Sequence, residues 1–151
     1  MIVVDVNVVA YYFIEGDKTA MARELMRTDP DWRLPALWRH EYLNLLATYA
    51  RQGGATVAES RKLWRLAADL LLPREQEVEP EAALALAVDH KLSAYDAQYI
   101  ALAQRLHTFL VTEDRRLARA FPAIARTMQA CVAAGSATSG KQAGSRPRTE
   151  P

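Results

Sequence analysis

One cysteine, Cys131, occurs in the 151 residues, so an internal disulfide is impossible and a cysteine-based zinc cluster is excluded. No Lys or Arg precedes Lys18, so nothing local can neutralise an acid near the N-terminus. The chain lacks an apolar run of about eighteen residues that would read as a membrane span. It opens directly on Met1-Ile2-Val3-Val4-Asp5, without the basic segment, apolar core and small-residue cleavage site of a leader. A soluble, unexported, cytoplasmic protein is therefore expected. No Gly-x-Gly-x-x-Gly and no Gly-rich lysine loop follows the first apolar segment, which argues against a dinucleotide or P-loop site. Internal repeats are absent, and strong net charge is absent too. The total is +1, and Lys141, Arg146 and Arg148 against Glu150 put +2 of it beyond Gly135, which leaves −1 for residues 1–134. A polyanionic partner must then be held by local patches rather than by the field of the whole domain.

What is present suits one compact domain. A hydrophobic content of 50% is enough for a sizeable core in a chain of this length. Ile2 to Val9 reads as a strand buried on both faces, running into a short apolar segment over Ala10 to Ile14 that Gly16 ends. Asp17 is expected to cap a helix reaching Arg27, with Met21, Leu25 and Met26 inward, and Asp29-Pro30 stops it before a short strand at Trp32 to Leu34. Two long helices follow, from about Ala36 to Arg51 and from Val57 to Leu72, broken by Gly53-Gly54. A weak strand near Glu77 precedes a helix starting at Pro80, and Ser93 opens another that runs to Leu106. Phe109 to Thr112 is apolar and β-branched, Glu113 to Phe121 reads as a helix, and a last strand covers Ile124 to Met128. Strands that alternate with helices and lack polar alternation predict a parallel sheet covered on both faces, an α/β fold in three α/β/α layers with four or five strands. Residues 1–130 are expected to form the domain. Residues 131–151 are expected to be a disordered tail, rich in Gly, Ser, Ala and basic residues from Gly135 onward.

Four acids stand at strand ends or helix starts: Asp5, Glu41, Asp96 and Asp114. Asp5 is the sharpest, because its flanks are apolar and burying an unpartnered carboxylate costs several kcal/mol or about that order. In a parallel sheet, ligands bind at the carboxyl ends of the strands, where both Asp5 and Asp114 lie. Glu41 is in the first turns of its helix, turned away from the core stripe of Trp38, Tyr42, Leu45 and Tyr49. Each of the others has a local explanation. Ser93-x-x-Asp96 resembles a capping box, and an acid such as Asp114 in a first helical turn interacts well with the helix dipole. Together they point elsewhere, because two carboxylates about 4 Å apart repel by roughly 4 kcal/mol at an effective dielectric near 20. Oxygen ligands without His or Cys favour Mg²⁺ or Mn²⁺. His40 and His90 read as surface or packing residues, and Arg61, Lys62 and Arg65 as a solvated helix face.

Four segments, Val3-Val4-Asp5-Val6-Asn7-Val8-Val9, Glu41-Tyr42-Leu43-Asn44-Leu45-Leu46, Leu92-Ser93-Ala94-Tyr95-Asp96-Ala97 and Val111-Thr112-Glu113-Asp114-Arg115-Arg116-Leu117, resemble the motifs of PIN domains, most closely those of the VapC toxins. The resemblance covers about residues 1–130. It implies a Mg²⁺- or Mn²⁺-dependent endoribonuclease, with Asp5 and Asp96 as principal metal ligands and Glu41 and Asp114 completing the acidic cluster. Asn7 and Thr112 would support it, and Arg115, Arg116 or Arg119 would hold flanking phosphates. It also implies a VapB-like antitoxin and a homodimer. Tyr11-Tyr12-Phe13-Ile14 is either core or the lining of a dimer or antitoxin groove. Val6 departs from the family pattern, which usually has a small polar residue between the Asp and the Asn.

Two alternatives start from the same residues. Asp5-Val6-Asn7-Val8-Val9 approximates the nucleophile motif of haloacid-dehalogenase-like phosphatases, with Asp5 as nucleophile, but Asn7 cannot act as their second, proton-transferring acid. The other is a PIN-like module that binds RNA or protein without cutting, which retention of all four acids disfavours.

Overall fold

A computed structural model describes residues 1–141, with side chains through residue 135. Strands alternate with helices to give five parallel strands: β1 (Ile2–Val4), β2 (Trp32–Pro35), β3 (Glu75–Gln76), β4 (Leu110–Val111) and β5 (Ala125–Arg126). Their order across the sheet is β3-β2-β1-β4-β5, with β1 at the centre paired to β2 on one side and β4 on the other. Register places Val3 beside Arg33 and Leu110.

Alternation along these strands builds the layers. Ile2, Val4, Trp32, Leu34 and Val111 point to one face, where α1 (Val6–Phe13), α2 (Thr19–Thr28), α3 (Trp38–Arg51) and α4 (Val57–Leu71) pack. Val3, Leu110 and Ala125 point to the other, covered by α6 (Ala94–Arg105) and α7 (Arg115–Ala120), with α5 (Pro80–His90) packed on α6. The central strands β1 and β4 are short, apolar and buried, as expected when helices cover both sides, whereas the edge strand β3 is polar and partly exposed. The α/β/α expectation thus holds, with five strands.

The first face is aromatic. Trp38 stacks on Trp64 at 5.7 Å, and Phe13 reaches Tyr42 at 6.3 Å. Tyr12 meets Trp32 edge-on at 5.5 Å, so Tyr12 and Phe13 belong to the core, while Tyr11 lies under the Lys18 ammonium. The α3–α4 turn needs its glycines. Gly53 sits at φ 79°, and Gly54 lies against the Tyr49 ring where a Cβ would collide. Thr56 and Glu59 then close a full capping box on α4.

Four expectations change. Asp17 does not cap α2, whose N-cap position is Lys18 with no side-chain capping bond. The first strand ends at Val4, and Val6 to Phe13 form α1 instead of continuing to Val9. Met21 is exposed, whereas Leu25 is buried and Met26 packs against the core. Residues 131–141, expected in a disordered tail, continue α8 (Met128–Lys141). The alanines of that stretch favour helix, and Met128, Cys131 and Val132 bury apolar surface on the first core. Gly135 allows the close approach of α8 to α2, because a Cβ there would strike the Thr28 methyl. The rest of the expected tail, residues 142–151, lies outside the described residues. Among the described residues no helix is long and apolar enough to cross a membrane.

Candidate metal and active site

Asp5 follows β1 and occupies the N-cap position of α1, yet its side chain makes no capping bond. Its carboxylate instead accepts the Thr112 hydroxyl at 2.7 Å on Oδ2, from a residue that follows β4. The neighbouring strand fixes this geometry, because the Asp5 amide donates to the Val111 carbonyl at 3.0 Å. Asp5 is 7% exposed and Thr112 is fully buried. Burial raises the Asp5 pKa above the ordinary carboxylate value, and the Asp96 charge adds to the rise, while the Thr112 hydroxyl and the backbone amides of Asn7 and Val6 oppose it.

Glu41 lies in the first turn of α3 and is half-buried. Its Oε2 accepts the Tyr99 hydroxyl at 2.6 Å, a bond from α6 across 58 residues. Burial pushes its pKa up to about 7, with the Asp5 and Asp96 charges contributing and the Tyr99 bond pulling the other way. Tyr99 is itself raised well above the usual phenol value by burial and by the Glu41 carboxylate. The Tyr99 hydroxyl therefore remains a donor at neutral pH.

Asp96 is the third member. Ser93 caps α6 by accepting the Asp96 amide at 3.0 Å, but the Asp96 carboxylate does not return the bond to the cap. Only half of the expected capping box forms, unlike the closed Thr56–Glu59 box on α4. The Asp96 carboxylate carries no hydrogen bond among the described residues, and its charge acts on Asp5 and Glu41. Three acids from β1, α3 and α6 are thus brought within electrostatic reach of one another.

Asp114 stands apart from them. It is the N-cap of α7, accepting the amides of Arg116 at 2.7 Å and Leu117 at 3.4 Å, and it pairs with the Arg116 guanidinium at 3.1 Å. Burial alone would raise its pKa, but the Arg116 side chain and these amides outweigh it and hold the carboxyl below its usual value. Its link to the others runs through the backbone, where its amide donates to Thr112 Oγ1 at 3.0 Å, and through Arg116, which also feels the Asp96 charge. Arg115 and Arg119 are exposed on α7. Asn7 is exposed on the first turn of α1, and His90 packs on the Phe121 ring at 4.6 Å.

The donor set is all oxygen, which fits Mg²⁺ or Mn²⁺. Burial and like-charge repulsion both make Glu41 a poor anion in the bare protein, a penalty a divalent cation offsets. Among the described residues no three His, Cys, Asp or Glu side chains close tightly enough to hold an ion by themselves. An ion here would take much of its coordination from water, as Mg²⁺ commonly does with one or two carboxylates. Glu41 also opens a cavity of about 510 Å³ along α3, lined by Asn44, Leu45, Thr48, Tyr49 and Gln52. A second cavity of about 440 Å³ shares Leu45 and Tyr49 and extends to Asn7, Tyr11 and Lys18.

Sequence reasoning missed Tyr99. Its ring reads as one more apolar position of α6, and only its spacing of three residues from Asp96, which puts both on one helix face, hints at a shared site.

Residues 2–121 match a family model described as the PIN domain. Ribonuclease VapC3 of Pyrobaculum aerophilum is 31% identical over 127 residues, covering 82% of this chain and 96% of that relative. The crystal structure of PAE2754 from Pyrobaculum aerophilum superposes with a TM-score of 0.72 at 21% identity, covering 90% of this chain and 89% of the other, a likeness of fold.

Proposed function

The chain belongs to the PIN-domain family, with the VapC-type ribonucleases as its kin, and from that premise we propose that it is a divalent-metal-dependent endoribonuclease, the toxin of a VapBC-type toxin–antitoxin pair. The observation that carries this reading is the drawing of Asp5, Glu41 and Asp96 from three elements into one acidic site, in which burial makes the Asp5 and Glu41 charges costly and the Asp96 charge adds to the cost. A bound Mg²⁺ or Mn²⁺ would supply a water of lowered pKa and offset charge on the phosphate. Asp5 and Asp96 would be its principal ligands, with Glu41 beside them.

The chain's own residues then supply position and polarity. Thr112 orients Asp5, and Asn7 and the amide-lined groove along α3 offer uncharged polar groups to a single strand. Arg115 and Arg119, exposed on α7, suit flanking phosphates, while Arg116 also pairs with Asp114. Asp114 completes the acidic set through that arginine rather than by direct approach. A VapB-like antitoxin, a homodimer and action in the cytoplasm belong to the same reading. The groove where Tyr11 and Lys18 meet α3 is the surface an antitoxin segment would use.

The test is cleavage of a pool of structured RNAs by the full chain with Mg²⁺, with Mn²⁺ and with chelator. Metal-dependent cleavage that Asp5→Asn and Asp96→Asn each abolish is expected. Undiminished cleavage by both variants, or none by the native chain under any metal, would overturn the assignment; the second outcome would favour a binding module that no longer cuts.

A further inference from the structure

Two tyrosines bury their hydroxyls on the helices that carry the acids, and they differ in one respect. Tyr42 follows Glu41 in the chain but packs into the aromatic core, where its hydroxyl has no hydrogen-bond partner among the described residues. Tyr99, on α6, has its hydroxyl 2.6 Å from Glu41 Oε2. The core thus tolerates a phenol without a partner, at the usual cost of an unsatisfied polar group, so burial alone does not explain the Tyr99 bond. The same helix face that presents Asp96 presents Tyr99, because the two are three residues apart on α6. Tyr99 therefore joins the helix carrying Asp96 to the helix carrying Glu41.

The buried Asp5 and the half-buried Glu41 are held in matching ways. Asp5 receives one hydroxyl on Oδ2, from Thr112, across 107 residues, and Glu41 receives one on Oε2, from Tyr99, across 58. In each case a donor on a different element fixes one oxygen, and the second oxygen of Glu41 makes no hydrogen bond among the described residues. A flexible glutamate on a helix would otherwise sample several rotamers. Residues that hydrogen-bond a metal-binding carboxylate fix its orientation in this way.

Resting on the nuclease reading above, we propose that Tyr99 is a positioning residue for Glu41: its hydroxyl locks the carboxylate by Oε2 and leaves Oε1 directed to a divalent cation. Tyr99 does not touch the cation or the RNA. It acts through Glu41 alone, and its ring stays part of the core.

Mn²⁺ binding to the full chain, read by the loss of the free-ion electron paramagnetic signal, tests this without relying on turnover. Tyr99→Phe keeps the ring and removes the hydroxyl; it should weaken Mn²⁺ binding about 10-fold or more and lower kcat for RNA with little change in KM. Tyr42→Phe should leave both as in the native chain. In a Glu41→Gln background, Tyr99→Phe should add nothing further, because the group it positions has gone. Native Mn²⁺ affinity in Tyr99→Phe, or a loss that adds fully to that of Glu41→Gln, overturns the proposal. Should Tyr99→Phe fail to fold, Glu41→Asp gives the answer, since it keeps the charge but withdraws it from the hydroxyl. It should bind Mn²⁺ as weakly as expected of Tyr99→Phe, and native affinity there sinks the idea. Binding that depends on Asp5 and Glu41 but not on Tyr99 overturns this proposal alone. Binding that survives Asp5→Asn unchanged overturns the nuclease reading and this proposal with it.

Discussion

The central strands β1 and β4 are neighbours, and each hands the chain to a helix through an aspartate at the N-cap position. The two aspartates behave in opposite ways. Asp114 accepts two amides of its own helix and pairs with Arg116 two residues on, so its local sequence satisfies it. Asp5 makes no capping hydrogen bond, is 7% exposed and accepts its side-chain hydrogen bond from Thr112, 107 residues away, while the Asn7 and Val6 backbone amides only lower its pKa somewhat. An N-cap acid usually stabilises its helix by about 1 kcal/mol. A site that forgoes this and buries the charge instead holds a group whose state is set by tertiary structure and by whatever binds it. The β1 turn is therefore the electrostatically strained half of the site, and the β4 turn is the relaxed half.

The largest effect that would sharpen this contrast is Asp5→Asn. An amide oxygen can still accept the Thr112 hydroxyl, while the buried charge and its repulsion with Asp96 disappear. RNA cleavage should fall by well over about 100-fold, beyond what loss of a supporting group does. Thermal unfolding in chelator should occur at the native temperature or above it. A variant that melts well below the native chain in chelator would show that the Asp5 charge stabilises the fold, and the contrast would break.

Next in size is the pH dependence of the metal-free protein. The Glu41 carboxyl, ordinarily near 4.5, is pushed up to about 7 in the fold by burial. A carboxyl whose folded pKa is raised binds protons more tightly when folded, so its contribution is fully present below about 4.5 and is lost as pH rises through about 7. Asp5 shifts in the same direction. Unfolding temperatures in chelator should fall across that window, and Glu41→Gln should flatten the fall. Added Mn²⁺ should restore stability most at the alkaline end, where the carboxylates are ionised. A stability that instead climbs with pH over this range would mean that the inner acids are held as comfortable anions.

How much of this was legible in the sequence follows the same division. Ser93 and Gly53-Gly54 announce their turns locally, and the structure puts them where the residues indicate. The apolar triplet Ile2-Val3-Val4 and the β-branched segment before Thr112 likewise read as buried parallel strands. The run after Asp5 misled, because Val6 to Phe13 is apolar and β-branched and a short buried helix shows no period distinct from a buried strand. The helix α8 was hidden for a related reason. Its alanines and glycine look like tail composition until Met128, Cys131 and Val132 meet the core and Gly135 meets Thr28. Of the acids, the sequence exposed Asp5 by the absence of any nearby cation. It gave no access to the Tyr99–Glu41 bond, which exists only once α6 and α3 are packed together across 58 residues.

The smallest effects belong to the relaxed half, and they separate charge from capping. Asp114→Ala removes the acceptor for two amides of α7 and should lower stability by about 1 kcal/mol, or roughly 2–4 °C in the unfolding temperature for a chain of this size. Asp114→Asn keeps a good cap and should recover most of that loss. Its effect on cleavage isolates the charge, which in the native chain already faces the Arg116 guanidinium at 3.1 Å. Cleavage should therefore drop less than about 10-fold in Asp114→Asn, since an exposed ion pair screened by solvent couples weakly to its surroundings. A loss as deep as that of Asp5→Asn would show that Asp114 turns from its helix toward the other acids when the cation binds. The β4 turn would then be a second strained element, held back by its cap and by Arg116 until the site fills.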